Sequence, residues 1–314
     1  MNQDAYSECR LCPRDCGVDR TAGEKGVCRE TAMCRVASSG PHFGEEPSFS
    51  GTRGSGTIFF AGCSSHCFFC QNHRISNENL GEALTPDGFL ALGRRLAASG
   101  VHNLNFVTPD HFWPHIEHLC RTLRGEGVTI PFLFNSSGYQ RPDLVDRYAQ
   151  WIDIFMPDFK FADPALAKAC MGDERYPALA LDALRRMVER KGFLDPWDPS
   201  GARPAERGVL VRHLVLPGRV ENSIAVLKLL HHEFGKLLPL SVMSQFHPVP
   251  ACFERELLTR RITAEEHRRI HELVDELGFR HVYIQEHSQG LEFLPDFRED
   301  EPFEGNRGRL DGSP

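Results

Sequence analysis

Short apolar runs alternating with amphipathic stretches constrain this chain more than any other feature. The runs 57–61 (Thr-Ile-Phe-Phe-Ala), 103–108, 130–134, 152–156, 209–216 and 240–246 each read as a buried strand, and residues 281–285 are a seventh candidate. The stretches between them have readable ends. Thr85-Pro86 is an N-cap followed by Pro at the first helical position, Phe89, Leu92 and Leu96 share a face, and Gly100 stops the segment. Thr263-Ala-Glu-Glu266 reads as a capping box, and Ile270, Leu273, Val274 and Leu277 follow a helical stripe up to Gly278. Residues 177–191 and 221–235 read as helices too. Strand followed by helix, repeated, implies parallel strands joined by right-handed crossovers. We therefore expect an α/β fold, a partial (β/α)6 TIM-like barrel over residues 55–290. A doubly wound open sheet is the alternative. In either fold, functional residues gather at the C-terminal ends of the strands.

Cysteine usage adds the chemistry. The 314-residue chain has 11 Cys, and Cys9, Cys12, Cys16, Cys28, Cys34, Cys63, Cys67 and Cys70 all lie in its first 70 residues. The N-terminus lacks a basic stretch followed by an apolar run, and no apolar run is long enough to span a bilayer. We expect a cytoplasmic protein with no membrane partner. In that reducing compartment clustered cysteines are metal ligands or redox groups rather than disulfides. With 36 Lys+Arg against 43 Asp+Glu, the net charge is −7, which argues against nucleic acid as a general partner. Residues 1–54, rich in Cys, Gly and Arg, are expected to form an irregular, metal-held extension. It ends in a flexible connector, Gly51-Thr-Arg-Gly-Ser-Gly56, which lacks the Lys-Ser/Thr ending of a phosphate loop. Residues 291–314 are polar and Gly-rich and read as a flexible tail.

The first strand runs straight into Gly62-Cys63-Ser-Ser-His-Cys67-Phe-Phe-Cys70. Three thiolates in one loop can hold three corners of a [4Fe–4S] cluster, and the missing fourth ligand leaves an iron open for catalysis. A structural zinc completed by His66 or His73 is the alternative. Asn135 and Ser137 end the third strand, and Asp158 and Lys160 end the fourth, either at the site or as a plain ion pair. Arg212 and His213 alternate within an apolar run, so only one faces the interior, and a buried cation there needs an anionic partner. A satisfied core histidine is an equal alternative. Gln245 and His247 end the sixth strand with the same ambiguity. Cys9-x2-Cys12-x3-Cys16-x11-Cys28 is a separate four-thiolate set, suited to a structural zinc or to a second [4Fe–4S] cluster. Cys34 is left over. Cys120, Cys170 and Cys252 read as buried thiols, and Trp113, Trp151 and Trp197 as packing residues.

The three-cysteine loop on the first strand, with Phe69 before its last cysteine, resembles the radical S-adenosylmethionine (SAM) superfamily. Within it, the chain looks most like the group similar to pyruvate formate-lyase activating enzymes. The segments that carry the likeness are Cys9-Arg-Leu-Cys-Pro-Arg-Asp-Cys-Gly17, His42-Phe-Gly-Glu-Glu-Pro47, Cys63 to Asn72, Asn135-Ser-Ser-Gly-Tyr139, Met156-Pro-Asp-Phe-Lys160 and Arg212-His-Leu-Val-Leu-Pro-Gly218. The resemblance implies a [4Fe–4S] cluster on Cys63, Cys67 and Cys70 whose open iron chelates SAM. It also implies an electron donor such as flavodoxin or ferredoxin, a 5′-deoxyadenosyl radical that abstracts hydrogen, and a glycyl-radical enzyme as partner. Carried onto this chain, Phe69, Asp158 and Lys160 lie at the SAM site. Asn135 and Ser137 hold its ribose or methionine part, His213 its carboxylate, and Gln245 its adenine or the substrate. One departure stands out. The group usually carries Gly-Gly-Glu after the second strand, whereas here the strand ends Asn103-Leu-Asn-Phe-Val-Thr-Pro-Asp110, and Thr108 would take over the SAM amino group. A divergent enzyme acting on a small molecule, peptide or RNA is the alternative, with a non-catalytic metal-binding scaffold further off.

Overall fold

Each apolar run becomes a strand because its residues can bury both faces, one against helices and one inside a curved sheet. The computed structural model describes residues 3–287, 295–299 and 302–303. Among them are ten strands: β1 (Cys34–His42), β2 (Ser55–Phe60), β3 (Glu82–Leu84), β4 (Leu104–Val107), β5 (Phe132–Ser136), β6 (Ile154–Pro157), β7 (Gly208–Val209), β8 (Val211–Leu214), β9 (Leu240–Met243) and β10 (Val282–Ile284). β2, β4, β5, β6 and β7 lie side by side, parallel and in chain order. β8, β9 and β10 continue as a second parallel set. A bridge between Asp158 and Arg212 joins the sets, and there the Phe159 N–H donates to the Arg212 carbonyl at 2.7 Å. Neighbours that follow chain order around the curve make a partial TIM-like barrel; a doubly wound sheet would reverse that order. The long fifth run breaks at Leu210, so that β7 pairs with β6 and β8 with β9.

Register decides which side chains enter the lumen. Leu104 stands opposite Gly56 and Phe132, and Leu133 opposite Ile154. Phe106, Phe134 and Phe155 then point outward into the main core, where Phe134 meets Trp113 and Tyr148 of the covering helices. Leu133, Ile154, Met156 and Leu210 belong to a separate apolar cluster with Phe49, Leu194 and Ala205, which closes the lower end of the barrel. The helix ends are capped as the sequence indicates. The Thr85 side chain accepts from the Gly88 N–H, and Thr263 and Glu266 form a reciprocal capping box.

Three segments differ from expectation. The extension is not irregular throughout. β1 pairs antiparallel with β2 and β3, placing Val36 opposite both Phe60 and Glu82. Its sequence, Cys-Arg-Val-Ala-Ser-Ser-Gly-Pro-His, has too few apolar residues for alternation to betray it. Ser55 and Gly56 of the expected connector already belong to β2. The tail is seated in part: Phe297 and Phe303 pack on the Phe59 ring at centroid distances of 5.2 and 5.3 Å, and Phe303 also meets His42. The rest of the expected flexible tail, including residues 291–294 and 304–314, lies outside the described residues. Among the described residues, no helix is long and apolar enough to cross a membrane.

Candidate active site

The loop after β2 turns sharply upward because Gly62 and His66 both adopt left-handed backbone angles, at φ 77° and 51°. It is then pinned by short-range bonds, the Cys70 N–H to the Cys67 carbonyl at 3.3 Å and the His73 N–H to the Cys70 carbonyl at 3.0 Å. Cys63 and Cys67 are buried and Cys70 is half-buried. All three line one cavity of about 420 Å³ at the upper end of the barrel. Burial pushes the Cys63 thiol up to about 12, and Cys67 and Cys70 also rise for want of solvent. As free thiols they would be neutral. A bound cation is what would make thiolates of them.

Nine further candidates named from the sequence line this cavity: Phe69, Thr108, Asn135, Ser137, Asp158, Lys160, Arg212, Gln245 and His247. The backbone and side-chain bonds among them explain their placement. Asp158 and Lys160 form an ion pair in the wall. Burial opposes the Lys160 charge, but the Asp158 carboxylate and Cys67 beside it hold it above the usual lysine range. Tyr176 fixes this corner: its hydroxyl accepts from the Lys160 N–H at 2.9 Å and donates to the Ser137 carbonyl at 2.9 Å. The Asn135-Ser-Ser-Gly turn lies against the same place. Gly138 has φ 74°, and a Cβ there would come within 1.8 Å of the Asp158 carbonyl, so only glycine fits. Ser65 of the thiol loop donates to the Ser137 hydroxyl at 2.6 Å, tying the loop to the end of β5. Thr108 holds a left-handed angle of 53°, rare for a β-branched residue, while its N–H donates to the Asn135 carbonyl at 2.8 Å. Such strain is retained where the surroundings impose it, and here it turns Thr108 into the cavity. The Gln285 amide donates to the Gln245 side-chain oxygen at 3.1 Å.

His213 is the exception, and the expectation that it touches the cofactor is corrected. Alternation in β8 sends Arg212 inward and His213 outward. The imidazole is fully buried between the Phe159 carbonyl at 2.7 Å and the Ser223 hydroxyl at 2.8 Å, and burial lowers its pKa to about 4. It is a satisfied, neutral core histidine. Arg212 instead bridges Glu45 and Glu46, with Nε donating to Glu46 at 2.9 Å. Burial opposes the charge on Glu45, but Arg212 beside it holds the carboxyl below its usual range. Glu45 also accepts from the side-chain amides of Asn105 at 2.8 Å and Asn135 at 3.3 Å. This acidic floor to the cavity was not foreseen. The buried cation in an apolar run signalled that an anion was needed, but not which carboxylates in a distant segment would supply it.

Four thiols expected to bind a second metal lie outside the cavity. Cys9, Cys12 and Cys28 are buried and Cys16 is half-buried, while Cys34, Cys120, Cys170 and Cys252 are buried thiols in the core. Among the described residues, no three His, Cys, Asp or Glu side chains are grouped to hold a single ion. A tetrahedral zinc draws all its ligands to about 2.3 Å from one point. A cluster does not, since each thiolate sits on a different iron. The Cys63 loop fits a [4Fe–4S] group: three cysteines on one turn that line one cavity, with the Lys160 cation alongside. Near that turn, His66 Nε2, Asn72 Oδ1 and His73 Nδ1 are buried without hydrogen-bond partners.

Comparison with known proteins agrees. The radical SAM superfamily model matches residues 57–198. An uncharacterized protein of Methanocaldococcus jannaschii is 24% identical over 288 residues, covering 90% of this chain and 78% of that one. Streptococcus suis SuiB, solved with S-adenosylmethionine, superposes with a TM-score of 0.50 at 14% identity, over 71% of this chain and 48% of SuiB. The chain thus spans about half of that larger protein, and the likeness is one of fold. Methylornithine synthase is similar over 71% of this chain and 68% of its own, with a TM-score of 0.42 and 14% identity. The matched segment begins at β2 and carries the three-cysteine loop at that strand's end, so this part of the chain is similar to the radical SAM superfamily.

Proposed function

We propose that this protein cleaves SAM reductively to generate a radical that abstracts hydrogen from a substrate. One observation carries the reading: Cys63, Cys67 and Cys70, two buried and one half-buried on a single strand-end loop, open onto the same cavity as Thr108, Asn135, Ser137, Asp158 and Lys160. Held by Cys63, Cys67 and Cys70, a [4Fe–4S] cluster would supply the electron that splits SAM into methionine and a 5′-deoxyadenosyl radical. The chain supplies binding, orientation and exclusion of water. Lys160 offers a fixed cation to the SAM carboxylate, and Asp158 keeps that cation charged and in place. Thr108 offers a hydroxyl where the related group uses a glutamate, while Asn135 and Ser137 present an amide and a hydroxyl to ribose or methionine. Phe69, buried among Phe68, Phe161 and Phe246, gives the loop a rigid apolar back wall.

Two readings of the radical's recipient follow. The resemblance to activating enzymes favours a glycyl-radical partner protein. The Glu45–Glu46–Arg212 floor favours a small polar molecule that reaches into the lumen. Anaerobic enzyme, dithionite and SAM should yield methionine and 5′-deoxyadenosine in equal amounts; no product would refute the function. A glycyl radical seen by EPR on mixing with a candidate partner would select the first recipient. Loss of substrate turnover, but not of SAM cleavage, in Glu46→Gln would select the second.

A further inference from the structure

Cys9, Cys12, Cys16 and Cys28 take no part in the cavity described above. We propose that these four cysteines hold a second iron–sulfur cluster, docked directly behind the loop that carries the first. The inference concerns metal content alone and does not depend on SAM chemistry.

Two opposed turns carry the four cysteines. In the first, the Cys9 N–H donates to the Val18 carbonyl at 2.9 Å, the Gly17 N–H to the Cys9 carbonyl at 3.0 Å and the Asp15 N–H to the Cys12 carbonyl at 3.1 Å. The second turn presses Gly26 onto Cys16, so closely that a Cβ would sit 2.7 Å from its sulfur. The Val27 N–H donates to that same sulfur at 3.4 Å.

Arg20 points to an anion in the same place. Its side chain is buried at 1% exposure over the Tyr6 ring. Its guanidinium donates to the carbonyls of Glu30, Thr31 and His111 and lies 3.6 Å from the Cys9 sulfur. Among the described residues no carboxylate comes within ion-pair distance of it. A buried cation is costly unless an anion is near, and the neighbouring Glu30 carboxyl is itself pushed toward its neutral form by burial. Its nearest electrostatic partners include Cys28 and Cys9, and thiolates bound to a metal would supply the missing charge.

The class of metal follows from spacing. Among the described residues no three of these side chains are grouped around one point, as a tetrahedral zinc would need, whereas a cluster spreads four thiolates over separate irons. The two cysteine loops also touch. Arg14, between Cys12 and Cys16, donates to the carbonyls of Ser64 and Ser65, each at 2.9 Å. Gly62, just before Cys63, lies so near the Cys28 carbonyl that a Cβ would be 2.6 Å from it.

The test uses the full chain with Cys63, Cys67 and Cys70 all changed to Ala, reconstituted anaerobically with iron and sulfide. Iron and acid-labile sulfide should remain in equal amounts, with an EPR signal after dithionite. Absence of iron, or zinc in its place, would overturn the proposal. In the otherwise intact protein, Cys9→Ser with Cys12→Ser should remove about half of the iron; full retention would also overturn it. Arg20→Met should lower the reduction midpoint of the remaining cluster in the triple variant, and Arg20→Lys should restore most of it. An unmoved midpoint would contradict the pairing of Arg20 with these thiolates.

Discussion

Two cysteine loops sit back to back in this molecule and are held by different means. The Cys63 loop grows out of β2, which β1 and β4 clamp on either side by backbone pairing. The Cys9–Cys28 segment has no regular element of its own and lies between the short helix Asp4–Ser7 and β1. Its carbonyls are satisfied instead by side chains of the barrel: Arg141 donates to Arg10, Arg175 to Pro13 and Tyr148 to Leu11. A loop on a strand end inherits the precision of the sheet. A loop held by arginines depends on each tether, and on whatever its thiols bind.

The largest expected loss of stability lies where barrel and extension exchange charge. Arg212→Met leaves Glu45 and Glu46 buried without their cation and should cost about 3–5 kcal/mol in denaturant unfolding. Adding Glu45→Gln and Glu46→Gln should recover most of that. No recovery would show that Arg212 acts through packing instead.

Arg20→Met should loosen the extension selectively. Three buried carbonyls lose their donor, at about 1–3 kcal/mol each at most. Limited proteolysis should then cut before Cys34 while the barrel melts as before. A barrel that melts earlier would show that the two regions fold as one unit. Arg10, exposed and paired with Glu8 and Asp15, is the control, and Arg10→Ala should leave melting and proteolysis unchanged.

A smaller effect comes from pH. His213 is held neutral by burial, with a folded pKa near 4 against an unfolded value near 6.5. Between those values the unfolded chain takes up a proton that the folded chain refuses. Stability is therefore fully present above about 6.5 and falls with pH toward 4, by at most about 1.4 kcal/mol per unit. His213→Asn should flatten that slope in the barrel transition. An unchanged slope would mean that other groups set it.

The same contrast explains what the sequence could disclose. The barrel was legible because alternation fixes which side chains enter the lumen, and the cysteine spacing marked one strand end. Asn135, Ser137, Asp158, Lys160 and Gln245 stood out as strand ends, whereas Phe69 and Thr108 came from the family resemblance, and all seven line the cavity. His213 does not, because the phase of β8 is set by its pairing with β9 after the break at Leu210. Glu45 and Glu46 escaped notice because their partner Arg212 lies far along the chain. β1 escaped because a strand flanked by pairing on both edges needs few apolar residues to be stable. The extension was legible only as composition, since tethers such as Arg14 and Arg20 have no sequence period.

The most direct test of the account is SAM cleavage by the anaerobically reconstituted protein and its Cys67→Ala variant, with dithionite as reductant. The account predicts equal methionine and 5′-deoxyadenosine from the unaltered chain and none above background from Cys67→Ala, with the barrel still folded by circular dichroism. Cleavage that survives in Cys67→Ala would contradict it.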